Sequence, residues 1–123
     1  MMVDDDEQLT GIAASIDAVI EAWRAQDPER AGALFAVDAT YDEVGAAAIS
    51  GRRAIVEHFT RFLIGGPQWR FEIDDMIVEN PVGCLVYRFS IEGADGKWRE
   101  RAGCAVVRFS ADGEIAGWRE YEG

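Results

Sequence analysis

A chain of 123 residues can bury one core but not two, so a single domain over 1–123 is expected, with residues 1–8 as a frayed lead-in. Lys and Arg total 12 against 23 Asp and Glu. The resulting net charge of −11 repels phosphate backbones and anionic lipid, which excludes nucleic acid and membrane surfaces as expected partners. No apolar run is long enough to span a bilayer, and the acidic start MMVDDDEQ is the opposite of a basic signal-peptide start, so a cytoplasmic location is expected.

In chain order, Leu9, Ile12, Ala13, Ile16, Val19, Ile20 and Trp23 recur at steps of three and four, with Asp17, Glu21 and Arg24 on the other side. That spacing predicts an amphipathic helix over 8–25. The stretch QDPER restarts a helix, with Asp27 as its cap and Pro28 at its first position. Ala31, Leu34 and Phe35 then face the core. ATYDE, 39–43, reads as a short strand. SGRRAIVEHFTRFLIGGP reads as a third helix that starts at Ser50 or Gly51 and is stopped by Gly65-Gly66-Pro67. Its buried stripe is Ile55, Phe59, Phe62 and Leu63.

After Pro67 the apolar period changes to two. Strands are expected at 69–79, 84–92, 97–109 and 114–121, joined by turns at NPVG, GADG and SADG. Helices followed by a meander of strands argue for an α+β fold, with helices on one face of a curved antiparallel sheet. Along 84–92, Leu85, Tyr87, Phe89 and Ile91 share one face; Val86, Arg88, Ser90 and Glu92 share the other. A tight GADG hairpin would set Arg88 opposite Glu100, Tyr87 opposite Arg101 and Cys84 opposite Cys104. The cysteines lack metal-ligand spacing, and the lone His58 cannot complete a Cys/His zinc site, so both thiols are expected to be reduced.

The stretches IEAWRAQDPERAGALFAVDATYDEVG, SGRRAIVEHFTRFL and ADGEIAGWREYEG together resemble the SnoaL-like branch of the nuclear transport factor two-like superfamily. The resemblance covers residues 12–123. It implies a cone: a strongly bent antiparallel sheet with three N-terminal helices over its concave face, enclosing a pocket for a small apolar molecule. It further implies a homodimer through the outer sheet face, here Val86, Arg88, Ala102, Cys104, Val106, Arg108 and Tyr121. The superfamily holds isomerases, polyketide cyclases, dehydratases, epoxide hydrolases and non-catalytic binders, so the resemblance implies no single reaction.

Residue by residue, the acidic base of ketosteroid isomerase relatives matches Glu43, while their oxyanion donors fall on Val19 and Ala105, which cannot donate from a side chain. Limonene-type epoxide hydrolases resemble the GEIAGWREY run, where their acid matches Glu120, and their water-holding pair matches Tyr41 and Glu43. Their second Asp and its Arg find no clean counterpart; Arg101 could serve only by convergence. The pattern places Trp118 and Glu120 inside the cone, with Glu43 and Glu120 on opposite walls, one as base and one as acid. The catalytic candidates are therefore Glu43, Glu120, Arg101 and His58, with Tyr41, Trp23, Trp69, Phe71, Tyr87 and Trp118 as substrate-binding candidates. No cofactor and no metal is expected. Three classes stay open: an acid–base enzyme, a non-catalytic pocket binder, and an interaction domain that uses its sheet.

Overall fold

The computed structural model describes residues 5–123. Three helices, α1 (Asp5–Arg24), α2 (Pro28–Gly32) and α3 (Arg52–Leu63), accompany six strands. These are β1 (Phe35–Glu43), β2 (Ile49–Ser50), β3 (Trp69–Glu79), β4 (Val82–Glu92), β5 (Trp98–Phe109) and β6 (Ile115–Glu122). They form one sheet in the order β2-β1-β6-β5-β4-β3. All neighbours are antiparallel except β1 and β6, which run parallel. The sheet does not close: β2 and β3 are its two edges. Bulges at Ile73/Asp75, within 35–40 of β1 and near Arg108/Phe109 bend it, so that its concave face wraps the helices. This is the expected α+β cone.

Each helix forms for a local reason. Asp27 accepts from the Arg30 backbone N–H and Pro28 opens α2, as its sequence predicts. Gly51 at φ 94° precedes α3, a conformation that costs glycine nothing. Ile12, Ile16, Val19, Ile20 and Trp23 of α1 and Ile55, Phe59 and Leu63 of α3 are buried against Leu85, Tyr87, Val107, Ile115 and Trp118 of the sheet. The close approach of α2 to α3 depends on Gly32, where a Cβ would overlap Val56 Cγ2.

The structure changes four local expectations. Residues 5–8 of the supposed lead-in belong to α1; residues 1–4 lie outside the described residues. Phe35 is not helical but begins β1, because the parallel ladder to β6 captures it: the Ile115 N–H bonds the Leu34 carbonyl. The two-residue strand β2 lies in what reads as a loop. Finally, the β4–β5 register is two residues away from the tight hairpin. Gly93 N–H bonds Lys97 O, Gly96 N–H bonds Gly93 O, and Gly96 takes φ 78°. That is a three-residue loop closed by a left-handed glycine and centred on Asp95 rather than Ala94, and moving the centre by one residue displaces the pairing by two. The loop Ser110–Glu114 repeats the pattern with Gly113 at φ 83°.

A displacement of two preserves every face but changes every partner. Arg88 faces Ala102 and forms a forked ion pair with Asp74 at 2.9 Å, keeping Glu100 only as a 3.9 Å diagonal contact. Cys84 lies opposite Val106, and Cys104 opposite Val86. Both thiols are free, and burial, then Cys104 beside it, pushes the Cys84 thiol up. Tyr87 faces Gly103, where a Cβ would meet its hydroxyl at 2.9 Å. Gly103 makes room for that ring.

Candidate active site

The concave face holds a cavity of about 390 Å³. Its walls are aromatic: Trp23 from α1, Tyr41 from β1, His58, Phe59 and Phe62 from α3, Phe71 from β3, and Tyr87 and Phe89 from β4. Phe71 and Tyr87 stack at 4.6 Å, and Trp23 meets Phe59 and Trp118 edge-on at 5.4 Å each. The charged groups come from three neighbouring strands. Glu43 comes from β1, Arg99 and Arg101 from β5, and Glu120 and Glu122 from β6.

Glu120 is 7% exposed and the one buried charged residue among the described residues. Period two along β6 turns Ile115, Trp118 and Glu120 inward and leaves Arg119 and Tyr121 outside, after a bulge near Gly117. Tyr41 is the β1 partner of Trp118, which brings its hydroxyl over the next inward side chain. Tyr41 Oη donates to Glu120 Oε2 at 3.0 Å, and Trp118 Nε1 donates to the same oxygen at 3.1 Å. Oε1 has no hydrogen-bond partner among the described residues. Burial, which outweighs the two hydrogen bonds that favour the ionised form, together with smaller contributions from Glu43 and Glu122 pushes the carboxyl up to about 7. Tyr41 stays a neutral donor, because burial and then the Glu120 charge hold its hydroxyl well above the ordinary range.

A second tyrosine–carboxylate pair lies beside the first. Tyr87 Oη donates to Glu122 Oε1 at 3.1 Å, and Arg101 Nη1 is 3.7 Å from Glu122 Oε2. Burial, followed by Glu120 and Glu122, pushes the Tyr87 hydroxyl up. Glu43 is exposed at the mouth. Burial on its cavity side and Glu122 push it up, against a smaller downward pull from Arg101. His58 is half-buried with its ring 5.3 Å from that of Tyr41; burial and then Arg61 push it down, so it is neutral at pH 7.

Of the candidates read from the sequence, Glu43, Glu120, Arg101, His58, Tyr41, Trp23, Phe71 and Tyr87 meet at this cavity. Trp118 lies behind the wall, 1% exposed, and acts on the cavity through Glu120. Trp69 does not reach it; its ring stacks on Phe62 and lines a separate groove with Arg24 and Arg70. Glu43 and Glu120 are not on opposite walls. They are directly paired on adjacent parallel strands, because β6 returns beside β1. Glu122 and Arg99 escape the sequence reading. Extending the period from Trp118 and Glu120 by one more step points to Glu122, but the strand was expected to end at 121. Among the described residues, no three His, Cys, Asp or Glu side chains are arranged to hold a metal ion.

The hydrogen bonds to Glu120 support a direct prediction. Tyr41→Phe removes a donor that favours the ionised carboxylate, so the Glu120 pKa should rise further. Carbon-13 NMR of labelled glutamate carboxyls across pH 5–9 should show one midpoint displaced upward from that of wild type. An unchanged midpoint would mean that the Tyr41 bond does not act on this carboxylate.

A bent, largely antiparallel sheet closed on one side by helices around an aromatic cavity defines the cone class of nuclear transport factor two-like folds. Within that class, the SnoaL-like domain model matches residues 16–118, and the chain belongs to the SnoaL-like family. Comparison with curated proteins gives no match. Solved structures similar to this chain include a Mycobacterium tuberculosis LEH-like epoxide hydrolase, 20% identical, covering 94% of this chain and 84% of that one, with a TM-score of 0.82. Another is a Catenulispora acidiphila hypothetical protein with a ketosteroid isomerase-like fold in complex with trimethylamine, at 19% identity, 87% and 83% coverage, and TM-score 0.77. A third is a Mycobacterium tuberculosis protein in complex with estradiol-17β-hemisuccinate, at 18% identity, 89% and 92% coverage, and TM-score 0.77. At these identities the likeness is one of fold. No helix among the described residues is long and apolar enough to cross a membrane.

Proposed function

We propose that the chain is a small-molecule acid–base enzyme in which Glu120 moves the proton. The observation that supports this most directly is its carboxyl: buried, held on Oε2 by two neutral donors, and free on Oε1 at an aromatic cavity. A carboxyl pushed up to about 7 can both accept and return a proton near neutral pH. Oε1 takes a proton from a substrate C–H or O–H. The Tyr41 and Trp118 bonds stabilise the ionised form between turnovers, and the proton returns to another atom of the same substrate or to water. Isomerisation, dehydration and cyclisation are the reactions of this kind.

Epoxide hydration is less well supported, because Tyr41 already donates its hydroxyl proton to Glu120 and its neighbour Glu43 is an acceptor only. The apolar walls suit a cyclic, largely apolar skeleton. His58, neutral at the rim, and Arg101, paired with Glu122, would orient polar substituents. The small ligands held by two of the similar structures agree with a pocket of this type. A panel of apolar cyclic ketones, hydroxy ketones and epoxides, followed for turnover by mass spectrometry and for binding by calorimetry, tests the reading. Turnover lost in Glu120→Gln supports it. Binding without turnover across the panel would favour the non-catalytic reading.

The outer sheet face is our proposed homodimer surface. Ile77, Val86 and Tyr121 are 60%, 36% and 42% exposed there, on the same face as Ala102, Cys104 and Val106. Such a patch is stabilised by a second copy. Light scattering of wild type should give twice the 13.6 kDa chain mass, and Val106→Asp should give one chain. A wild-type monomer at micromolar concentration would remove the proposal.

A further inference from the structure

Charge at the cavity is arranged unevenly. Arg101 is 70% exposed and engaged with Glu122, and Arg99 is 61% exposed and engaged with Asp95 at 3.0 Å. Both guanidinium groups sit in water at the mouth with their charges already countered. Glu43 and Glu120, side by side on β1 and β6, have no cation within 4 Å among the described residues. Glu120 is more than nine-tenths buried, and its Oε1 is unpartnered. The faces of Trp23, Tyr41, Phe59, Phe71 and Tyr87 surround the space in front of it.

Three kinds of ligand can be weighed against this arrangement. An anion meets three carboxylates, and the two arginines near it are already paired. A neutral apolar ligand strips the remaining water from Glu120 and offers nothing in return, which deepens the cost of its charge. A cation counters the carboxylates and is attracted to aromatic faces by their quadrupoles. A primary ammonium carries three N–H donors that all need acceptors, and this wall offers only Glu120 Oε1 and Glu43. An alkylated nitrogen has fewer N–H groups to satisfy and more apolar surface to set against the rings.

We propose that the cavity takes a tertiary or quaternary amine on an apolar skeleton, its positive nitrogen against Glu120 and Glu43 and its alkyl groups against the aromatic walls. This deepens the preceding reading and rests on it in one respect, that the cavity is the small-molecule site. It adds a charge requirement to that reading.

The test uses the full chain with phenyltrimethylammonium and its uncharged isostere tert-butylbenzene, titrated by calorimetry and tryptophan fluorescence. The charge of the first ligand is permanent, so the pH dependence reports protein groups alone. Those facing Glu120 are Tyr41 and Glu43 on β1, Glu122 on its own strand, Tyr87 on β4, Arg101 on β5 and, next to Tyr41, His58 on α3. At pH 8 the cation should bind about tenfold more tightly than the isostere, the scale of a desolvated cation–π contact. Below pH 7 that preference should fall, by up to about tenfold per pH unit, as Glu120 takes up its proton. Glu120→Gln, with its fold checked by circular dichroism, should lose both the preference and its pH dependence. Any pH dependence that survives in Glu120→Gln belongs to the titratable groups the variant retains, Glu43 and His58 among them, and overturns its assignment to Glu120. Equal or tighter binding of tert-butylbenzene overturns the charge requirement and leaves the small-molecule reading standing. Failure of both ligands to bind takes both down. A preference that is flat in pH and intact in Glu120→Gln also overturns the proposal.

Discussion

Glu120→Gln is expected to lower turnover by about 10²–10⁴-fold, the usual contribution of a positioned acid or base, while raising the stability of the protein at alkaline pH. The two effects share one cause. The carboxyl titrates near 7 in the folded chain against an ordinary 4.5, so the folded state holds an extra proton between those values. Its contribution to stability is therefore fully present below pH 4.5 and is lost as pH rises through 7. Above that point the buried charge weighs against the fold by on the order of 3 kcal/mol. Gln keeps an oxygen that can accept from Tyr41 and Trp118 but never carries the charge. At pH 8 the variant should melt above wild type; near pH 4.5 the two should converge. Thermal unfolding at both pH values, beside a turnover assay, checks the pair. Equal melting at both pH values would show that Glu120 is not buried as a charge, and full activity would remove it from the mechanism.

Trp118→Ala should be the most destabilising single change near the site, at about 3–5 kcal/mol, or a fall in Tm of roughly 10–20 °C. The indole is 1% exposed and sits among Trp23, Phe35 and Tyr41, with ring centroids 5.4, 6.1 and 6.3 Å away. No neighbouring side chain can fill its volume without opening the cavity wall. Trp118→Phe separates packing from electrostatics. It keeps a ring in the cluster but removes the N–H that bonds Glu120 Oε2. Its stability loss should be well under that of the Ala variant, yet its Glu120 midpoint should move upward as in Tyr41→Phe. Urea unfolding measures the first quantity and carboxyl NMR the second. A Phe variant with an unshifted midpoint would assign Trp118 a packing role alone.

Much of the architecture is legible in the chain because it is local. The three- and four-residue steps of Ile12, Ile16, Val19, Ile20 and Trp23, the cap at Asp27 before Pro28, and the change to period two after Pro67 each set an element through neighbours within a few residues. Period two also groups Trp118 with Glu120 and Arg119 with Tyr121; that the first pair faces inward is what the family resemblance implies and what the structure shows. Partners do not follow in this way. Gly96 in the left-handed region closes a loop centred on Asp95 rather than Ala94, and that one-residue move of the turn centre takes Arg88 from Glu100 to Asp74 and places Gly103 rather than Arg101 opposite Tyr87. The parallel return of β6 beside β1, across 72 residues from the end of one strand to the start of the other, sets Glu43 next to Glu120. It also brings the Tyr41 hydroxyl to the same oxygen as the Trp118 indole. The carboxyl pushed up to about 7 is a consequence of burial and of groups from β1 and β6 meeting at one point. Side-chain periodicity depends on backbone geometry that each residue carries with it, whereas a shared proton site depends on distances that exist only once the sheet has closed over the helices.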